Sequence, residues 1–194
     1  SLDEIEPGMK GIGKTVFKGT KVEDFPVEII EIMEDEELIL IKASGDRIEK
    51  AGGIASGMSG SPIYIDGKMI GAVSYGWMNG DHKFALITPI NRMLKLLKET
   101  EGEKDTSEVN LPLLNNPLIV KGLEGRALKK LKSELPFLNV KTFPGGGNTD
   151  NSTTELKPGS AIAVQMVRGD INISSIGTLT YVDGNKILGF GHPF

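Results

Sequence analysis

No cysteine occurs in this chain. That excludes disulfides, thiol nucleophiles and cysteine-based zinc sites, and it leaves the redox compartment open. Histidine is almost as scarce. His82 and His192 are the only two, and no carboxylates cluster with them at ligand spacing, so neither a metal site nor a cofactor is expected. Long apolar runs are also missing: nothing approaches the roughly 18 residues of a membrane-spanning helix. A basic field is absent too, because the net charge is −4, which argues against nucleic acid as a partner. The first residues, SLDEIEPG, are acidic and polar and do not have the pattern of a signal peptide.

Glycine, in contrast, is plentiful. Twenty-five glycines in 194 residues fit a turn-rich β protein better than a helical bundle. A 39% hydrophobic content supplies a packed core without a metal or disulfide staple. Residues 14–32 read as two strands around a polar turn, and ELILIKA (37–43) alternates as a third. IYIDGKMIGAVSYG (63–76) holds two apolar runs joined by Asp66-Gly67, the signal of a type I′ hairpin. FALITPI (84–90) is a further strand, and Pro89 leads into a helix with Ile90, Met93, Leu94 and Leu97 on one face.

Beyond it, 99–116 is charged and Pro-containing and reads as a linker. EGRALKKLKSEL (124–135) predicts a second amphipathic helix with Ala127, Leu128, Leu131 and Leu135 inward. FPGGGNTDNSTTELKPGS (143–160) predicts a long loop, and strands resume at 161–167, 171–182 and 186–190. The expected organisation is a nucleophile-bearing β lobe with its closing helix (1–100), a linker, helix and loop (101–156), and a histidine-bearing β segment (157–194). The last residues, GFGHPF, stop inside a motif, so the chain is expected to be a piece of a longer parent. Tyr64-Ile65-Asp66-Gly67 is echoed by Tyr181-Val182-Asp183-Gly184, which suggests two lobes of related build.

The chemistry concentrates at Gly57-Met58-Ser59-Gly60-Ser61-Pro62. A serine hydroxyl needs an adjacent base to become a nucleophile, and donors aimed at the oxyanion that develops. Gly57 carries no Cβ, so this loop can turn the Gly57 and Ser59 N–H groups toward a carbonyl, with Ser59 as nucleophile. A glycine-rich turn that only bends the strand is the plain alternative. Gly145-Gly146-Gly147 lacks the GK[ST] of a phosphate loop, and His82, in the polar MNGDHKF, reads as a solvated side chain.

GMSGSP followed by a hairpin, a strand and a helix resembles the nucleophile half of trypsin-like peptidases. The longer run AGGIASGMSGSPI (51–63) resembles the SpoIVB-type serine peptidase family more closely, and the likeness extends over 6–98. GTLTYVDGNKILGFGH (177–192) is similar to the same family's histidine segment, which puts His192 at the general base. The resemblance implies a mainly β, trypsin-like double β-barrel of two six-stranded-type lobes with one or two short helices. It also implies endopeptidase chemistry on peptide or protein substrates, without a cofactor, in a secreted or cell-envelope bacterial protein.

The chain departs from the family in three ways. The family runs base, acid, nucleophile, whereas here Ser59 precedes His192; a triad is defined by geometry and tolerates any order. The family's acid falls on Ser44; Asp46, two residues away, could substitute only with a shift of the loop. The chain also ends two residues after His192. These departures keep a second expectation open: a catalytically inactive, peptidase-like module for protein interaction or envelope scaffolding.

Overall fold

A computed structural model describes residues 4–33, 37–76, 80–98, 116–136, 139–142 and 155–192. The first lobe is built from strands β1 (Lys10–Thr15), β2 (Glu23–Met33), β3 (Leu38–Ala43), β4 (Pro62–Ile65), β5 (Lys68–Tyr75) and β6 (Phe84–Pro89). Helix α1 (Asp46–Ala51) lies between β3 and β4, and α2 (Ile90–Lys95) follows β6. All six strands pair antiparallel in the order β1-β2-β3-β6-β5-β4, and Ile12↔Tyr64 and Gly13↔Ile63 close β4 back onto β1 as a barrel.

The expected alternation decides which face turns inward. Along β2, Phe25, Val27 and Ile29 are buried while the residues between them are not. Ile39, Ile41, Ala43, Ile63, Val73, Ala85 and Ile87 meet them in one core, with Ile48 of α1 and Met58 of the serine loop. Close strand approach demands glycine on β1: a Cβ on Gly11 would overlap the Tyr64 carbonyl of β4, and one on Gly13 the ring of Phe25. The Asp66-Gly67 hairpin has the expected geometry, with φ of +48° and +76° at the two central residues.

The second lobe comprises β7 (Leu118–Lys121), α3 (Gly125–Glu134), β8 (Val140–Thr142), β9 (Ala161–Val167), β10 (Asn172–Asp183) and β11 (Lys186–Gly189). Its five strands run β11-β10-β7-β8, with β9 on the other side of β10. β7 and β8 are a parallel pair that the sequence reading left unassigned. The predicted linker, apart from Asn116, and most of the loop over 143–160 lie outside the described residues.

Two local expectations need correction. α3 buries no residue fully: Leu128, Leu131 and Leu135 are half-buried and Ala127 is exposed, so the helix lies against the surface. The hairpin echo is also inexact. The second turn is centred on Gly184 and Asn185, not Asp183-Gly184, and only Gly184 has positive φ.

α2 links the lobes. Met93 packs with Ala72 of β5 and Leu188 of β11, flanked by Ile90, Leu94, Leu97 and Tyr181. Lys186 donates from β11 to the Leu97 carbonyl just past the helix end, at 2.9 Å, where a cation complements the unpaired carbonyls. No helix among the described residues is long and apolar enough to cross a membrane.

Candidate active site

The serine loop is fixed from below by the barrel. Gly52, in the left-handed region, ends α1. The Ile54 N–H then donates to the His82 carbonyl at 2.7 Å. Met58 drops its side chain into the core, and its sulfur accepts the Ala55 N–H at 3.3 Å. Met58 N–H donates to Ala55 O, Ser61 N–H to Met58 O, and Gly60 N–H to Val73 O at 2.7 Å. These bonds leave two amides over. The N–H groups of Gly57, at φ +98°, and of Ser59 meet no acceptor among the described residues. They are the two donors the sequence nominates for an oxyanion.

From above, β10 grips the same loop. Thr178 N–H donates to the Ser59 carbonyl at 2.7 Å, Thr178 Oγ1 to the Gly57 carbonyl at 2.9 Å, and Thr180 Oγ1 to the Gly60 carbonyl at 2.7 Å. The approach is close enough that a Cβ on Gly60 would overlap the Thr178 carbonyl oxygen and the Phe190 nitrogen. Ser59 ends up fully buried, at 0% exposure.

His192 arrives from β11 through a tight turn. Phe190 and Gly191 both have positive φ, at +65° and +71°. For a bulky residue such as Phe190 this is strained backbone of the kind that collects at functional sites. Two contacts hold the turn in place. The Phe190 ring lies over Gly177, where a Cβ would overlap it, and the Gly191 carbonyl sits 2.8 Å from Ser74 Oγ. Ser74 is buried and also lies 2.7 Å from Thr88 Oγ1, while its oxygen accepts the Thr88 N–H at 3.0 Å. A buried hydroxyl pair on β5 and β6 of the first lobe therefore sets the carbonyl just before the histidine on the second.

The result is that His192 Nε2 stands 3.3 Å from Ser59 Oγ, across 133 residues of chain. Asn116 Nδ2 lies 3.4 Å from the same nitrogen, and the Tyr75 ring centroid is 6.3 Å from that of the imidazole. Asp46 is not brought to this cluster. It is exposed at the first position of α1, and no hydrogen bond or ion pair joins it to His192. Ser44 donates its N–H to Pro26 O at 2.9 Å on the β2 side of the barrel. His82 is exposed.

Sequence reasoning missed Ser74, Thr88, Asn116, Thr178 and Thr180. The threonines carried a signal, since Thr178 and Thr180 alternate with Leu179 as polar residues on one face of a strand. Asn116 carried none, because it is one of two asparagines before a proline in a polar stretch.

The family model of SpoIVB peptidase S55 matches residues 2–94. No curated protein and no solved structure matches the chain. The matched span covers β1 to α2, hence the whole six-stranded barrel and the serine loop. The serine-bearing barrel of this chain is thus similar to SpoIVB peptidase S55 sequences, over residues 2–94.

Proposed function

We propose that the chain is a serine endopeptidase domain of the SpoIVB type, with Ser59 as nucleophile and His192 as general base. The observation that carries this reading is the 3.3 Å separation of Ser59 Oγ and His192 Nε2, within reach for proton transfer in a site assembled from both lobes. In the reaction, the imidazole takes the Ser59 proton as Oγ bonds to the peptide carbonyl carbon. The Gly57 and Ser59 N–H groups hold the oxyanion, and the imidazolium then returns its proton to the leaving amine. The acyl-enzyme is released by water through the same steps. Asp46 is not proposed as the orienting acid, because its exposed place on α1 gives it no contact with the histidine. Peptide or protein substrates follow from the family, and a secreted or cell-envelope location in a bacterium is proposed on the same ground.

The complete burial of Ser59 favours a second reading, in which the same architecture is a peptidase-like interaction module without turnover. The two separate on reaction with a fluorophosphonate probe, followed by intact mass. A single adduct on the wild-type chain that disappears in Ser59→Ala supports the peptidase. An unmodified wild-type chain, in a protein shown to be folded, supports the inactive module.

A further inference from the structure

One side chain at the serine–histidine contact has no part in the mechanism above. Asn116 directly precedes Pro117 and β7, and both it and Ser59 lie against a single nitrogen: Asn116 Nδ2 at 3.4 Å and Ser59 Oγ at 3.3 Å from His192 Nε2. A neutral imidazole has one N–H and one in-plane lone pair. An amide nitrogen only donates, so this contact requires the lone pair on Nε2 and the proton on Nδ1. That is the tautomer a base facing Ser59 needs, with the one lone pair shared between the amide N–H and the Ser59 hydroxyl, and a ring's tautomer is set by the hydrogen bonds its nitrogens make.

The other half of the amide is left unpaired. Asn116 Oδ1 is buried and has no hydrogen-bond partner. A dry, unpaired carbonyl costs stability and calls for a reason at that position. The segment is also well anchored. The Pro117 ring lies where a Cβ on Gly57 would meet it at van der Waals distance, and its carbonyl accepts the Ile176 N–H of β10 at 3.1 Å. The amide is therefore held beside the nucleophile loop by the strand that grips that loop.

We infer that Asn116 is a positioning residue. Its N–H fixes His192 in the Nδ1-protonated tautomer, with Nε2 directed at Ser59. The inference rests on the proposed peptidase reading for its purpose, and its test does not depend on turnover. The chain has only two histidines, and His82 is exposed, so nitrogen NMR of the full chain with labelled histidine gives two rings to assign.

The expected wild-type result is an unprotonated Nε2 and a protonated Nδ1 on neutral His192. In Asn116→Leu the donor is gone. The tautomer should move toward Nε2–H and probe labelling of Ser59 should fall about 10- to 100-fold, as for a misplaced catalytic group. The melting temperature should be equal or higher, because the unpaired carbonyl goes with it. Asn116→Asp offers only acceptors, so it should place the proton on Nε2 and lower labelling further; it carries the test if the leucine variant does not fold. An Nε2–H tautomer in the wild type would overturn the inference. So would an unchanged tautomer in the variants, whatever happens to labelling. If the wild type shows the expected tautomer and the variants shift it while the probe never reacts, the Asn116 assignment stands and the peptidase reading fails.

Discussion

The two lobes solve the problem of strand edges differently. In the first, every strand has two neighbours and the sheet closes on itself, leaving no edge and a core of fully buried side chains. In the second, β9 pairs only with β10 among the described residues, and Val164, Met166 and Val167 on it are exposed, Met166 at 55%. The closed lobe holds the nucleophile loop through Met58 in its core. The open lobe supplies reach, because Thr178, Thr180 and His192 all come from it. Most fully buried side chains lie in the barrel, and the serine–histidine contact lies at the seam.

The seam is where the largest mutational effect is expected. Gly60→Ala places a methyl group on the Thr178 carbonyl at a position with φ of +92°. It should cost about 3 kcal/mol or more and separate the lobes. Loss of Ser59 labelling in a chain whose barrel signals persist in NMR would show that the barrel stands without the dock.

Next comes the contrast between the lobes themselves. Ile41→Ala empties space at a 0% exposed position and should cost about 2–5 kcal/mol. Val164→Thr on β9 should stay within about 0.5 kcal/mol, since its side chain is 42% exposed. Equal losses in denaturant titrations would erase the distinction.

A smaller effect is expected from Thr180→Val, which leaves the buried Gly60 carbonyl without its donor. A loss of about 1–3 kcal/mol is expected, together with slower labelling of Ser59.

The smallest concerns pH. Burial, and then the charge of Asp24, raise the Tyr64 hydroxyl above its usual pKa of 10.0. The folded state thus holds that proton more tightly. The associated stability is intact below the ordinary value and is lost as pH rises through the raised one. Tyr64→Phe should flatten the alkaline fall of the melting temperature, and an unchanged fall would assign it to other groups.

Much of the barrel was legible in the sequence, because a closed sheet with one dry face imposes strict alternation. FPVEII and LILIKA show that alternation, and Asp66-Gly67 fixes the hairpin between β4 and β5. The nucleophile loop was legible for a related reason: left-handed backbone at Gly57 and Gly60 must be written as glycine. The elements that escaped are short or non-local. DRIEKA is too brief to show a helical period, and β8 has three residues paired to a strand with an entire helix between them. α3 has the right spacing of leucines, yet a half-buried surface helix writes the same pattern as a buried one. At the site, Ser59 and His192 were each singled out from the sequence, and they lie 3.3 Å apart. Their partners Thr178, Thr180, Ser74 and Asn116 act through contacts 76 to 121 residues apart, and no local pattern encodes those.

The central claim is that a histidine from the open lobe serves the serine of the closed one. The rate of fluorophosphonate labelling of Ser59 in wild type and His192→Ala tests it most directly, with folding of both checked by their NMR spectra. A rate lowered by about 10²–10⁴-fold in the variant is expected for the loss of a general base. Equal rates in two folded proteins would contradict the account.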